Sequence, residues 1–274
     1  GRSASKKCLY VETGNFAKLA NKDAKAYGDI KVIANSADTN YDRLPAVTPE
    51  MIDQDAAYLH ITSNNTLYGS RYSQFPDAGK VPLIADQTSE ILSRVVDYSK
   101  FGCIYAGLQK NLGPSGTAIV VIREDLLGYA SPETPVLLNY EQCAKDNSLT
   151  NTANTFAIYV TGLVLEWLQE QGGVAAIEKI NEQKAKTLYD LIDAGDYYRG
   201  VILPECRGTM NVSFNLASEE LEAKFLKEAG AQGLYALKGH RSVGGIRASI
   251  YNAMPLAGVD ALASFMKEFE SKNG

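Results

Sequence analysis

Through residue 122, short apolar or β-branched runs alternate with polar, turn-rich stretches. The runs predict strands at 8–12, 30–34, 57–61, 81–85, 103–106 and 117–122. Continuous apolar runs of this length are what strands buried on both faces require. Helical spacing follows Gly14, through Phe16, Leu19 and Ala20, and follows Thr88, through Ile91, Leu92 and Val95. Strands alternating with helices predict βα units, hence an α/β fold with a mostly parallel, doubly wound sheet.

The pattern then changes. Over 153–169, Phe156, Ile158, Tyr159, Val160, Leu163, Val164, Leu165, Trp167 and Leu168 cover most of a helix circumference. Such a helix is expected to be buried on nearly all sides, in a core or a subunit interface. Gly172-Gly173 ends it. A long amphipathic helix follows, with Ile177, Ile180, Ala185, Leu188, Leu191 and Ile192 on one stripe. Next come a strand at 210–216 and a helix from an N-cap at Ser218 to a stop at Gly230. Two short strands at 233–238 and 247–250 precede a closing helix carrying Val259, Leu262, Phe265, Met266 and Phe269. This reads as a small α+β layer. The domain boundary is expected near 173–179, dividing a large domain, 1–178, from a small one, 179–274.

Composition narrows the class. Of 274 residues, 45% are apolar and 22% charged, as in globular proteins and unlike disordered, collagen-like or coiled-coil chains. No apolar run is long enough to span a membrane. A net charge of −5 and no basic run beyond Lys6-Lys7 argue against nucleic acid as a partner. No secretory apolar region opens the chain, which makes the cytoplasm the expected compartment. Cys8, Cys103, Cys143 and Cys206 lack metal or redox spacing, and Cys8 and Cys103 read as small buried hydrophobes. The chain opens Gly1-Arg2-Ser3-Ala4-Ser5-Lys6-Lys7 and its first methionine is Met51, so it reads as a piece of something longer. Dinucleotide, Walker and nucleophile-elbow motifs are absent, and His60 and His240 are too far apart in sequence for a metal motif. His60 reads as a core or sheet-edge histidine.

Two residues remain at strand ends, where open parallel sheets bind ligands. Asp86 directly follows the run at 81–85, and Lys110 follows the run at 103–106 after a short turn. A lysine there can be a covalent nucleophile, and an aspartate can hold a protonated ring nitrogen. An aspartate after a strand also serves as a helix N-cap, and a loop lysine as a solvated charge. Spacing alone leaves these readings open.

The string Tyr105-Ala106-Gly107-Leu108-Gln109-Lys110-Asn111-Leu112-Gly113-Pro114-Ser115-Gly116 closely resembles the cofactor-lysine segment of the phosphoserine aminotransferase family. That family lies within the class-V, fold-type-I pyridoxal phosphate enzymes. Leu237-Lys238-Gly239-His240-Arg241-Ser242-Val243-Gly244-Gly245-Ile246-Arg247, continuing to Pro255, resembles its carboxyl-terminal signature. Asn151-Thr152, and Asp86 before Ile91-Leu92-Ser93-Arg94, match as well, and the likeness runs from about Cys8 to the end of the chain.

The resemblance implies a fold-type-I transferase: a mostly parallel large domain with a smaller carboxyl-terminal α+β domain. It implies pyridoxal 5'-phosphate as cofactor and a homodimer with shared active sites. Lys110 would carry the cofactor and shuttle the substrate Cα proton. Asp86 would keep the pyridine nitrogen protonated, Thr66 would bond near the phenolic oxygen, and Gln109 would bind the phosphate. Asn151 and Thr152 would reach the phosphate in the neighbouring subunit. Phe16 would stack on the ring in place of the family's frequent Trp; read without the family, it is a core residue of the following helix. Arg247 would grip the substrate α-carboxylate, with His240 and Arg241 at its second anionic end. The implied reaction converts L-glutamate and 3-phosphohydroxypyruvate to 2-oxoglutarate and O-phospho-L-serine, on the path to serine.

The chain departs from the family at its start. The family's first quarter supplies a glycine-rich phosphate-binding turn and an amino-terminal His-Arg pair. Neither is present, and the opening seven residues are not expected to replace them. Two alternatives follow: a catalytically incompetent fragment, or another class-V enzyme such as a cysteine desulfurase or an alanine–glyoxylate aminotransferase. Gln109, where a desulfurase has histidine, and the basic cluster at 240–247 favour the phosphoserine enzyme.

Overall fold

The computed structural model describes residues 6–274. Residues 1–5, which include most of the opening stretch discussed above, lie outside the described residues. β1 (Lys7–Glu12) leads through α1 (Asn15–Ala24) to β2 (Asp29–Asn35). β3 (Tyr58–Thr62), β4 (Leu83–Asp86), β5 (Cys103–Gly107) and β6 (Ala118–Ile122) complete a sheet of order β2-β1-β3-β4-β5-β6. It is parallel through β5, and β6 pairs antiparallel at the edge. All six expected strands form.

Strand side chains alternate between faces. Leu9, Val11, Leu59, Ile61, Leu83, Ala85, Ile104 and Ala106 share one face and belong to one buried cluster. The opposite face carries Tyr10, His60 and Tyr105. The Tyr10 and His60 rings stack at 4.7 Å, and His60 Nε2 lies 2.9 Å from the Tyr105 hydroxyl. Asp86 lies opposite Tyr105 in register, at the carboxyl end of this face. His60 is thus a core histidine, as its strand position implies, and burial pushes it down to about 4.

The second half begins with α2 (Tyr140–Lys145), α3 (Thr155–Glu170) and α4 (Val174–Ile192). β7 (Arg199–Gly200), β8 (Asn211–Asn215), α5 (Glu219–Ala231), β9 (Ile246–Ser249) and α6 (Leu256–Asn273) follow. β7-β8-β9 form an antiparallel sheet. Its buried face, Val212, Phe214, Ile246 and Ala248, packs with Leu188 and Ile192 of α4, Phe225 of α5 and Phe265, Met266 and Phe269 of α6. Phe225 is the hub, with Phe265 and Phe269 at 4.9 and 5.1 Å in edge-to-face contact.

Four expectations need correction. No helix follows Thr88: a single turn forms, then Leu92 adopts a left-handed backbone at φ 57 and the chain leaves helical geometry. α3 is not a core helix of this chain, since only Ala157 and Leu168 are buried while Phe156, Ile158 and Tyr159 are exposed. Its apolar circumference exceeds what α4 covers. Residues 233–238 form no strand, because Gly233 and Ala236 both have positive φ; only an isolated Lys238–Ile246 bridge forms. The missing edge is supplied by β7, too short to show a pattern. α5 runs through Gly230, and the left-handed glycine after it is Gly233. The four cysteines are free thiols, with Cys8 and Cys103 buried. Among the described residues, no helix is long and apolar enough to cross a membrane.

The low pKa of His60 has a defined sign. Between about pH 6.5 and 4 the unfolded chain binds the proton and the folded chain does not, so stability falls as pH falls through that window. Urea denaturation should show His60→Phe gaining on the wild type by up to about 3 kcal/mol across this window. A constant difference between the two proteins would contradict the buried neutral state.

Candidate active site

Lys110 sits in one tight turn beyond β5. Leu112 N and Gly113 N both donate to Leu108 O, and buried Leu108 and Leu112 anchor the turn. The lysine side chain is thereby directed at Thr66, with Nζ donating to Thr66 Oγ1 at 2.6 Å. Thr66 itself is buried in the loop after β3. Burial is the main cause that pushes the Lys110 amine down, to about 8; Asp86 opposes this and Arg247 adds to it. Those two electrostatic effects put an acid from β4 and a cation from β9 within range of one amine.

A second buried lysine provides the contrast. Lys184 is fully buried and also pushed down to about 8. Its Nζ donates to the carbonyls of Ile250, Tyr251 and Met254 at 2.9–3.1 Å. All three of its protons are engaged, as a structural ammonium requires. Among the described residues Lys110 has one neutral hydroxyl as its hydrogen-bond partner, so its amine remains available for chemistry.

The other candidates divide into two groups. Asp86 ends β4, and its Oδ1 accepts from Thr88 N at 2.9 Å, a local turn bond and not a helix cap. Gly107 N donates to Thr88 Oγ1 at 3.2 Å, tying the Asp86 turn to the Lys110 segment. Phe16 is 41% exposed, with its ring centroid 5.5 Å from Lys110 Nζ. It is not a core residue of α1, whose buried positions are Ala17 and Asn21. Arg247, on β9, has a buried Nε without a hydrogen-bond partner among the described residues. Gln109 is exposed and folds back on the chain, its Oε1 standing 2.5 Å from where a Cβ at Gly107 would lie.

The second group stands apart. Asn151 and Thr152 are exposed before α3, and among the described residues neither hydrogen-bonds to another candidate. His240 Nδ1 accepts from Ser242 N at 3.3 Å and lies 2.7 Å from Ser242 Oγ. That bond leaves the ring proton on Nε2. Arg241 beside it is exposed.

Sequence reasoning missed Tyr251 and Asn211. Asn211 Nδ2 donates to the Tyr251 hydroxyl at 3.2 Å and to Ser249 Oγ at 3.0 Å. Asn64 Nδ2 donates to Asn211 Oδ1 at 3.0 Å, joining the loop after β3 to β8. Their signal was an asparagine inside an apolar strand, which buries two polar groups and needs partners.

The set defined by Lys110, Asp86, Thr66, Phe16 and Arg247 has a clear chemical preference. It offers an available amine, a carboxylate, a hydroxyl, an open aromatic face and a guanidinium whose buried Nε has no hydrogen-bond partner among the described residues. These fit pyridoxal 5'-phosphate, the cofactor that the sequence resemblance implies. The net positive charge of Lys110 and Arg247 also favours an anionic substrate.

Comparison with known proteins agrees. Residues 3–262 match the aminotransferase class-V family. The phosphoserine aminotransferase of Lysinibacillus sphaericus is 50% identical over 272 residues, covering 99% of this chain and 75% of the relative. The solved phosphoserine aminotransferase of Bacillus circulans subsp. alkalophilus superposes with a TM-score of 0.96 at 46% identity, covering 100% of this chain and 76% of that one. A pyridoxal phosphate-bound phosphoserine aminotransferase from Trichomonas vaginalis gives a TM-score of 0.90 at 36% identity, covering 97% and 76%. The chain therefore belongs to the class-V aminotransferases and, within them, to the phosphoserine aminotransferases.

The buried amine has a cost to folding that can be measured. With Lys110 depressed to about 8, the unfolded chain binds the extra proton between pH 8 and 10.5, so its destabilising effect is full below 8 and fades above. Lys110→Met should therefore raise the thermal midpoint of the cofactor-free protein at pH 7, and the gain should shrink as pH rises to 10. An unchanged midpoint at both pH values would contradict the burial.

Proposed function

We propose that this protein transfers the amino group of L-glutamate to 3-phosphohydroxypyruvate, giving 2-oxoglutarate and O-phospho-L-serine, with pyridoxal 5'-phosphate as cofactor. The observation that carries the reading is the available Lys110 amine, hydrogen-bonded to Thr66 and within electrostatic reach of Asp86 and Arg247. The phosphoserine aminotransferases at about half identity support the substrate pair.

When bound, the cofactor supplies an aldehyde carbon for amine exchange and a ring that accepts electrons. The chain's own groups do the rest. Lys110 Nζ, depressed to about 8, keeps roughly a tenth of its amine neutral at pH 7 and can take and return the substrate Cα proton. The Asp86 carboxylate holds a proton on the ring nitrogen. The Phe16 face and Thr66 hydroxyl fix the ring plane and its oxygen edge. Arg247 binds the α-carboxylate common to both substrates with its guanidinium fork. His240 and Arg241 meet the second anionic end, the glutamate side chain or the phosphate. Gln109 binds the cofactor phosphate.

The reading extends to organisation. Residues 1–178 act as the cofactor domain and 179–274 as the small domain, joined along the continuous α4. The protein works in the cytoplasm as a homodimer, with Asn151 and Thr152 completing the partner's phosphate site. The exposed apolar face of α3 supports that pairing.

The test is a glutamate-dependent assay with three acceptors. The expected order is 3-phosphohydroxypyruvate far ahead of pyruvate and glyoxylate, with Lys110→Ala at least ~1,000-fold slower. Faster turnover of the unphosphorylated acids would remove the roles given to His240 and Arg241. Full turnover by Lys110→Ala would remove the mechanism.

A further inference from the structure

The turn that follows Asp86 is held in an unusual way. Its carbonyls at 91, 92 and 93 are consecutive, and each accepts from a different asparagine side chain. Asn111 Nδ2 donates to Ile91 O at 3.1 Å, Asn252 Nδ2 to Leu92 O at 2.9 Å, and Asn181 Nδ2 to Ser93 O at 2.9 Å. The three asparagines are themselves linked. Asn181 Nδ2 also donates to Asn252 Oδ1 at 2.9 Å, and Asn252 N donates to Asn111 Oδ1 at 3.1 Å. All three are buried, at 8%, 1% and 6% exposure for Asn111, Asn181 and Asn252. A carbonyl accepts only a donor, so each amide is fixed with its NH2 end towards the turn.

The origin of each asparagine gives the network its meaning. Asn111 follows Lys110. Asn252 lies five residues beyond Arg247, in the loop leaving β9. Asn181 belongs to α4, where Lys184, one turn on, grips the carbonyls of Ile250, Tyr251 and Met254 around Asn252. The turn itself is conformationally costly, since Leu92 has φ 57 with a branched side chain and no glycine to relieve it. Such a conformation persists only where its surroundings over-determine it.

We propose that Asn252 is a positioning residue: with Asn111 and Asn181 it clamps the strained turn after Asp86, and so holds the ring-nitrogen acid, the cofactor lysine and the carboxylate-binding arginine in one register. Asn252 is the centre because its backbone N–H, its Nδ2 and its Oδ1 each bond to a different segment. The clamp also joins the strand carrying Arg247 to the parallel sheet carrying Asp86 and Lys110. What the clamp serves rests on the transaminase reading; the clamp itself does not.

The test uses hydrogen–deuterium exchange on the cofactor-free protein, read at residues 86–93, 107–113 and 246–253. Asn252→Ala is expected to raise exchange about tenfold in all three segments together. Asn252→Asp keeps the shape and the acceptor for Asn181 but sets an oxygen against Leu92 O, and is expected to match the alanine variant over 86–93. Phe269→Leu, in the small-domain core, is the control for simple loosening and is expected to affect 246–253 without the other two. A rise confined to 246–253 in Asn252→Ala, as in the control, would overturn the proposal. Should Asn252→Ala fail to fold, Asn181→Ala removes one carbonyl cap and must still raise exchange over 86–93; no rise there overturns the proposal equally. In the loaded protein, Asn252→Ala is expected to lower kcat and move its pH profile, while Phe269→Leu leaves the profile in place. Absence of transamination in the wild type would remove the functional reading and leave the exchange result to decide the clamp.

Discussion

The amine of Lys110 is largely withdrawn from water, with one hydroxyl as its hydrogen-bond partner among the described residues, and much of the site follows from that constraint. Burial lowers its proton affinity towards neutrality, while Asp86 keeps the shift from going further. Thr66 fixes where the nitrogen points. Lys184 shows what the same burial does when the protein wants structure instead of chemistry: three carbonyls absorb its protons, and the side chain becomes a strut. Two lysines with similar depression therefore have opposite uses, and the difference lies in their acceptors.

That amine is effective only if three distant stretches of chain meet around it. The parallel sheet brings Asp86 and the Lys110 turn to adjacent strand ends, because β4 and β5 are neighbours. Arg247 comes from a different sheet, built on a separate aromatic core around Phe225. Buried asparagines join the two: Asn64 to Asn211 near Thr66, and Asn111, Asn181 and Asn252 around the turn after Asp86. Apolar packing builds each layer, and directional amide bonds set how the layers face each other. Hydrophobic contact alone would tolerate small slips that a reacting site cannot.

The sequence was legible where one physical rule acted alone. Buried parallel strands need unbroken apolar runs, and all six were visible in the chain. Lys110 and Asp86 were recognisable as strand-end residues, although the residues themselves left helix-cap and surface-charge readings open, and family likeness supplied the roles. Legibility failed where tertiary bonds override local preference. Ile91, Leu92 and Val95 have helical spacing, yet side chains from elsewhere take the carbonyls that a helix would use. Phe16 reads as a core residue by spacing, but α1 turns Ala17 and Asn21 inward and leaves the ring facing Lys110. α3 reads as buried because it is apolar all round, a property that fixes no particular covering partner.

The central claim is that Lys110, and not another lysine, is the group that engages the cofactor. Incubating the cofactor-free protein with pyridoxal 5'-phosphate, reducing with borohydride and mapping the added mass by peptide sequencing tests this directly. One stoichiometric label on Lys110 is expected, with Lys184 unlabelled despite its similar pKa. Labelling of Lys184, or a scatter over surface lysines with Lys110 unmodified, would contradict it.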